Sequence, residues 1–280
     1  MIRRWMMGKK RNNVWKMDVK RCLVSWRFLG VVLAVAVICI MSMSENWREI
    51  FSGRVRDTMS SVDQLNKMMF FDRFKPLLIV VLSVVYSNSF TEDWNHRYFR
   101  FIYSRSGIKR YACSKILVTI LGVVLASILG FVLFGVIMYP WMRMGAIEGV
   151  FQIEACYAEY PELLVSPVPV LYLVIHGWNF GLSASCMAVA GLWLTVKKPN
   201  SFIGIGGPFF IFYFVYAISV WIMPNTLNYM NVSSFLGMGW GTQNLETKLL
   251  YHTIYLVVCN IIPATGFYVS LRKRWKNGTL

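Results

Sequence analysis

Six stretches of this chain are predominantly apolar over lengths that reach or approach a bilayer crossing: Phe28 to Met43, Pro76 to Phe90, Ile116 to Tyr139, Pro169 to Val196, Phe202 to Met223 and Leu249 to Leu271. A hydrocarbon core about 30 Å thick needs about 20 helical residues to cross it, so four of these runs are long enough to span with tilt. The first two are short by this measure and are expected to extend into flanks such as Met68-Met69-Phe70-Phe71. The runs are continuous rather than alternating, which selects helices over membrane strands. Composition agrees. Hydrophobic residues make up 56% and charged residues 15% of the chain, and mean hydropathy is +0.50. Those proportions exclude a soluble enzyme, a disordered chain and a disulfide scaffold.

The net charge of +16 reads as a possible nucleic-acid signal until it is divided along the chain. Residues 1 to 27, 91 to 115, 197 to 198 and 272 to 276 hold 21 of the 29 Lys and Arg but only three acids, Asp18, Glu92 and Asp93. The intervening side holds 8 basic and 10 acidic residues, so the two faces carry +18 and −2. The positive-inside rule then places both termini in the cytoplasm, and attraction to anionic headgroups accounts for the basic total without nucleic acid. The expected fold is therefore all-α: a polytopic integral membrane protein with six transmembrane helices, N-in and C-in. Residues 1–27 form a cytoplasmic tail and interfacial amphipathic helix, 28–271 the membrane domain with a cytoplasmic loop at 91–115, and 272–280 a second tail.

The basic start is not a cleavable signal peptide, because 27 mostly polar residues precede the first apolar run and no small-residue cleavage site follows it. Within residues 13 to 27, Trp15, Val19, Cys22, Leu23 and Trp26 recur at helical spacing with Lys16, Lys20 and Arg27 beside them, the pattern of a helix lying along the inner leaflet. A solvated basic tail is the alternative. The segment Thr91 to Lys115 is long and amphipathic, with Arg97-Tyr98-Phe99-Arg100-Phe101-Ile102-Tyr103 followed by a turn at Ser106-Gly107, which suits a cytoplasmic helical hairpin docking on a partner. A plain inner-leaflet anchor is the competing reading. On the other face, residues 140 to 167 are acidic, and 224 to 248 are too apolar for a free loop and too broken for a span, as in a partly re-entrant pair of short helices. With Cys156 alone on that face, an intrachain extracellular disulfide is excluded.

No P-loop, His-Glu-x-x-His, Gly-x-Ser-x-Gly or Cys-x-x-Cys pattern occurs, and His96, His176 and His252 lack ligand spacing, so neither catalysis nor a metal is expected. Ionisable residues are essentially missing from the spans, which disfavours ion-coupled transport; His176 is read as an interhelix hydrogen-bonding residue. Gly177, Gly181 and Ser185, and likewise Gly122, Ala126 and Gly130, form small-residue stripes that let helices approach closely. In the fifth run, Gly204-Ile-Gly-Gly-Pro208 loosens or kinks the helix ahead of Phe209, Phe210, Phe212, Tyr213, Phe214 and Tyr216, which are either a sliding surface for a substrate or lipid-facing bulk. Asn-x-Ser/Thr occurs at Asn231 and Asn277, a match common by chance.

Taken in order, the entry helix ending in Ser25-Trp26-Arg27-Phe28, Glu92 at the inner end of span two, Arg105-Ser-Gly-x-Lys-Arg-Tyr111-x-x-x-Lys115, the Gly-, Trp- and Ser-containing span four and the broken segment after span five resemble the permease subunits of ABC exporters of the ABC-2 type. The resemblance covers nearly the whole chain. It implies six spans in the bacterial plasma membrane, a second permease subunit and two copies of a separate ATPase that binds ATP and Mg, this chain holding no cofactor itself. It also implies that Ser104, Arg105, Ser106, Gly107, Ile108, Lys109, Arg110 and Tyr111 form the coupling helix seated in the ATPase. Family members often carry Pro in that turn where this chain has Ser106-Gly107. Alternating access would then open a path between spans two and five, with Ser83, Ser87, Tyr213 and Tyr216 as its candidate lining, for an amphipathic or hydrophobic substrate such as a peptide, toxin or bacteriocin. Two other classes stand beside it: an ion-coupled secondary transporter, and a membrane immunity or peptide-binding protein that moves nothing.

Overall fold

The computed structural model describes residues 13–53, 56–70, 74–145, 147, 160, 163, 168–222 and 244–277. Among these the chain is helical, with one isolated bridge between Ser60 and Arg143 in place of any sheet. The helices are α1 (Asn13–Leu23), α2 (Trp26–Met41), α3 (Trp47–Phe51), α4 (Ser61–Phe70), α5 (Lys75–Ser83), α6 (Ser89–Asn95), α7 (Tyr98–Ser106), α8 (Ile108–Met138), α9 (Pro169–Lys197), α10 (Ser201–Ile222) and α11 (Leu245–Lys276). Three of them, α8, α9 and α11, are long and apolar enough to cross a membrane. A fourth crossing is counted if α1 and α2, bent by 46° at their junction, are taken as one span. The protein is thus membrane-embedded. Leu29, Leu33, Val37 and Met41 on α2 and Leu117, Leu121, Leu125 and Leu129 on α8 form exposed apolar stripes that only a hydrocarbon solvent satisfies.

The expected helix over 13 to 27 divides at Val24-Ser25, where Ser25 leaves helical geometry and its hydroxyl accepts the Phe28 N–H, capping α2. Such a cap stabilises a helix by about 1 kcal/mol, enough to fix the elbow there. The expected span over 76 to 90 is likewise not one helix. α5 stops at Ser83 and α6 starts at Ser89, with a run of turns between them. Of the flank expected to lengthen this span, Met68, Met69 and Phe70 belong to the separate helix α4, and Phe71 lies outside the described residues; of the broken segment 224–248, residues 245–248 open α11, and 224–243 with Asn231 lie outside the described residues, as do most of 140–167.

α9 is the hub. Over its most apolar window 83% of it is buried, against 50% for α8 and 28% for α11, so α11 lies at the periphery. Both glycine stripes serve this packing. A Cβ on Gly177 or Gly181 would sit 2.7 or 2.8 Å from the α8 backbone at Ile128 and Val124, so only glycine allows α8 and α9 this close. The stripe on α8 faces elsewhere: a Cβ on Gly130 would meet Val35 of α2, and one on Gly122 would meet the Cys22 sulfur of α1 at 2.6 Å. Ser185 donates to Asn260 Oδ1 at 3.0 Å, and Asn260 Nδ2 donates to the Leu182 carbonyl, joining α9 to α11.

Two helices carry an internal proline, and each freed carbonyl finds a side chain from a neighbour. Pro208 cannot donate to the Gly204 carbonyl four residues earlier; that carbonyl accepts the Ser87 hydroxyl at 2.9 Å. Pro263 similarly leaves the Cys259 carbonyl, which faces the Cys186 thiol at 3.5 Å. In a medium without water these contacts replace the missing ladder bonds.

Candidate functional site

The three acids that the charge count places on the basic face are drawn together at one end of the bundle. Asp18 projects from α1, Glu92 and Asp93 from α6, and their partners are Arg21 of α1, Arg27 of α2 and Lys115 of α8. Three negative and three positive groups make a neutral network. Sequence reasoning missed this arrangement: Asp18, Asp93 and Lys115 are each fully buried rather than solvated. The spans' near-lack of charge therefore does not extend to the end of the bundle.

Lys115 is the centre. Its Nζ lies 2.7 Å from Asp93 Oδ2 and 3.1 Å from Asp18 Oδ1, donates to the Tyr86 hydroxyl at 3.2 Å, and rests between the rings of Tyr86 and Tyr111. Each buried carboxylate accepts three donors. Asp18 takes Lys115, the Tyr86 hydroxyl at 2.7 Å and the Ser114 hydroxyl at 2.5 Å. Asp93 takes Lys115, the Tyr111 hydroxyl at 2.9 Å and Arg21 Nη1 at 2.5 Å. Arg21 Nη2 and Arg27 Nη1 grip the two oxygens of Glu92. Burying ions costs several kcal/mol each, and this geometry offsets the cost only while every partner is present. Burial pushes the Asp93 carboxyl up, but Lys115 and Arg21 outweigh it and hold the group below the usual carboxylate range. Burial works against the Arg21 charge as well, and its bond to Asp93 more than restores it.

Beside the network stands the hairpin expected at 91–115. It consists of α6, α7 and the first turn of α8. Gly107, at φ +76°, separates α7 from α8 in a conformation that side-chain-bearing residues rarely adopt. Residues 104–111 thus do not form one helix. Ser104, Arg105 and Ser106 end α7, Gly107 is the break, and Ile108, Lys109, Arg110 and Tyr111 begin α8. Lys109 and Arg110 are exposed; Tyr111 is buried on Asp93, so the surface and the ion network meet within one helical turn. Tyr98 and Phe101 on α7 are 57% and 67% exposed. Underneath, Phe90, Phe99, Tyr111 and Phe267 form one buried cluster, with Phe99 and Tyr111 edge to face at 5.3 Å. Arg274, near the end of α11, stacks over Trp94 at 4.7 Å, so α6 and the C-terminal end of α11 share this end of the bundle.

The candidate path residues are placed differently. Ser83 donates to the Val80 and Ile205 carbonyls and Ser87 to those of Ser83 and Gly204, so both hydroxyls join α5 and its following turn to α10. Tyr213 is half exposed on the outer surface of α10, edge to face with Phe209, and the side chain of Tyr216 lies outside the described residues. A further buried polar group sits toward the other end: Asn179 Nδ2 donates to the Tyr160 hydroxyl at 2.6 Å, which lies 2.9 Å from His252 Nδ1. His176 stacks on Tyr172. Among the described residues no group of three His, Cys, Asp or Glu side chains is placed to hold a metal. Comparison with protein-family models, with curated proteins and with solved structures finds no match to this chain.

Proposed function

We propose that this chain is the membrane-spanning subunit of an ATP-driven exporter of the ABC-2 type, with six spans in the bacterial plasma membrane and both termini cytoplasmic. A second permease subunit and two copies of a separate ATPase, which binds ATP and Mg, complete the transporter. The observation that carries the reading is the continuity between the exposed hairpin tip and the buried ions. A partner pressing on Tyr98, Phe101, Lys109 and Arg110 acts on a helical turn whose Tyr111 and Lys115 are bonded to Asp93 and Asp18. Those acids belong to α6 and α1, so a push delivered at one surface moves three membrane-entering elements together rather than bending a loop. Alternating access of that kind needs two packings of the bundle and a lever between them, and the ion network is the lever's rigid part. The substrate favoured is an amphipathic or hydrophobic peptide, toxin or bacteriocin.

Co-purification in mild detergent tests the reading. The chain is expected to recover a Walker-motif ATPase, and Lys109→Glu with Arg110→Glu to lose it while the bundle stays folded. Recovery of no ATPase, or one indifferent to charge reversal, overturns the proposal.

A second reading is favoured by the buried Tyr160, His252 and Asn179 group, since polar side chains deep in a membrane protein often serve ion coupling. An ion-coupled transporter keeps moving substrate into vesicles without ATP and loses that activity in His252→Ala.

A further inference from the structure

The elbow between α1 and α2 opens onto a pocket of about 230 Å³ lined by Arg21, Ser25, Arg27, Asn88, Ser89 and Glu92. At about 30 Å³ per water it has room for about seven, enough for a small polar headgroup. Two guanidiniums border it, and both oxygens of the single carboxylate are already engaged by them. Arg27 spends one nitrogen on Glu92 while its side chain is 60% exposed, which leaves donors of a five-donor fork for an outside acceptor. Ser89 is 3% exposed, and its hydroxyl has no hydrogen-bond partner; the Asn88 side-chain oxygen is also buried without one. Both residues line the pocket, and a donor or an acceptor left unpaired in this way is costly.

We infer that this pocket binds the headgroup of an anionic glycerophospholipid, its phosphate on Arg27 and Ser89. The surroundings select a lipid over a soluble anion. Val24 and Trp26, which flank the capping Ser25, are 76% and 89% exposed, and Leu29 one turn on is exposed as well, so acyl chains have an apolar surface immediately beside the phosphate site. An exposed Trp at the head of a membrane helix is an interfacial anchor. The open donors select an anionic headgroup: Arg27 keeps unspent N–H groups, and no carboxylate is left over to receive a choline or ethanolamine cation. A headgroup hydroxyl would in addition satisfy Asn88. Bound there, the lipid bridges the elbow of α1 and α2 to the turn before α6 and reinforces the grip of Arg27 and Arg21 on Glu92. The inference concerns this chain alone and stands apart from ATPase docking, so either can fail without the other.

The test titrates the purified full chain in neutral detergent with phosphatidylglycerol, phosphatidylcholine or inorganic phosphate, counting bound lipid by native mass spectrometry and following the thermal midpoint. Phosphatidylglycerol is expected to bind selectively and raise the midpoint. Affinity should fall about tenfold in Arg27→Gln and about threefold in Ser89→Ala, a near-isosteric change that keeps the test valid if the arginine variant does not fold. Lys273→Gln, an equal change of charge at an exposed site on α11, should leave binding unaltered. Equal binding of the two lipids, or no effect of either pocket variant, overturns the proposal. Stabilisation by inorganic phosphate as large as that by phosphatidylglycerol, and dependent on Arg27, assigns the pocket to a free anion and overturns the lipid assignment.

Discussion

The Lys115 ammonium lies 2.7 Å from Asp93 Oδ2, and neither side chain reaches solvent. Asp93 lies on the first helix of the hairpin and Lys115 on the long helix that follows it, and the same ammonium reaches Asp18 on α1. Removing it strands two carboxylates in a site closed to water. Lys115→Met is therefore expected to destabilise the protein by about 3–5 kcal/mol, seen as a large drop in thermal midpoint and in folded yield. Pairing it with Asp93→Asn should recover part of the loss, because one stranded charge disappears. Strictly additive losses in that cycle would mean that the two residues are not coupled.

Asp93 also sets the expected response to acid. Its carboxyl sits below the ordinary range because Lys115 and Arg21 outweigh burial, so the folded protein binds this proton less readily than the unfolded chain. For a depressed carboxylate the stabilisation is complete above the unfolded value, about 3.9, and disappears as pH falls through the folded one. The midpoint of the wild type should hold between about pH 7 and pH 5 and decline below about pH 4. Asp93→Asn should start lower and decline less steeply. A variant that retains the full acid slope would transfer that role to another carboxylate.

Gly122 admits α1 to the bundle, since a Cβ there would sit 2.6 Å from the Cys22 sulfur and 3.0 Å from Val85. Gly122→Val is expected to lift α1 away and break Lys115 from Asp18 with it. Cysteine labelling reads this directly. In the wild type a maleimide should reach the exposed Cys113 and spare the buried Cys22; in Gly122→Val, Cys22 should label at a rate approaching that of Cys113. Continued protection of Cys22 in the variant would show that α1 tolerates the added methyl groups in place.

How far these features are legible in the sequence depends on the distance over which each is encoded. The small-residue stripes are local patterns with a 3.6-residue period, so Gly177 and Gly181 announce a close helix contact without naming α8 as the partner. The elbow is local too: Ser25 is a capping residue, although the amphipathic pattern runs on through it to Trp26. The ion network is not local. Arg21 and Asp93 are 72 residues apart and Lys115 and Asp18 97 apart, and each alone looks like a solvated charge flanking a span. Nothing in their neighbourhoods marks them as buried. The only hint is that three acids stand on an otherwise basic face, where uncompensated carboxylates have few reasons to be. The same holds for Ser83 and Ser87, whose spacing marks one helical face but not what it touches.

Ser87 and Pro208 offer the most discriminating test of that last pair. If the hydroxyl serves to satisfy the Gly204 carbonyl that Pro208 leaves without its ladder partner, its value depends on the proline. Ser87→Ala in the wild type should cost about 1 kcal/mol, at the upper part of the range for interhelical hydrogen bonds in membranes. In a Pro208→Ala background the helix supplies its own N–H, and the same substitution should cost measurably less. A residue that lines a substrate path would behave otherwise: Ser87→Ala would alter which substrate is carried, with little change in the thermal midpoint and no dependence on residue 208. Comparing the four proteins by thermal unfolding, and the serine variant by vesicle transport, separates a backbone-satisfying role from a path-lining one. A cycle with no coupling and an altered substrate preference would return Ser87 to the path.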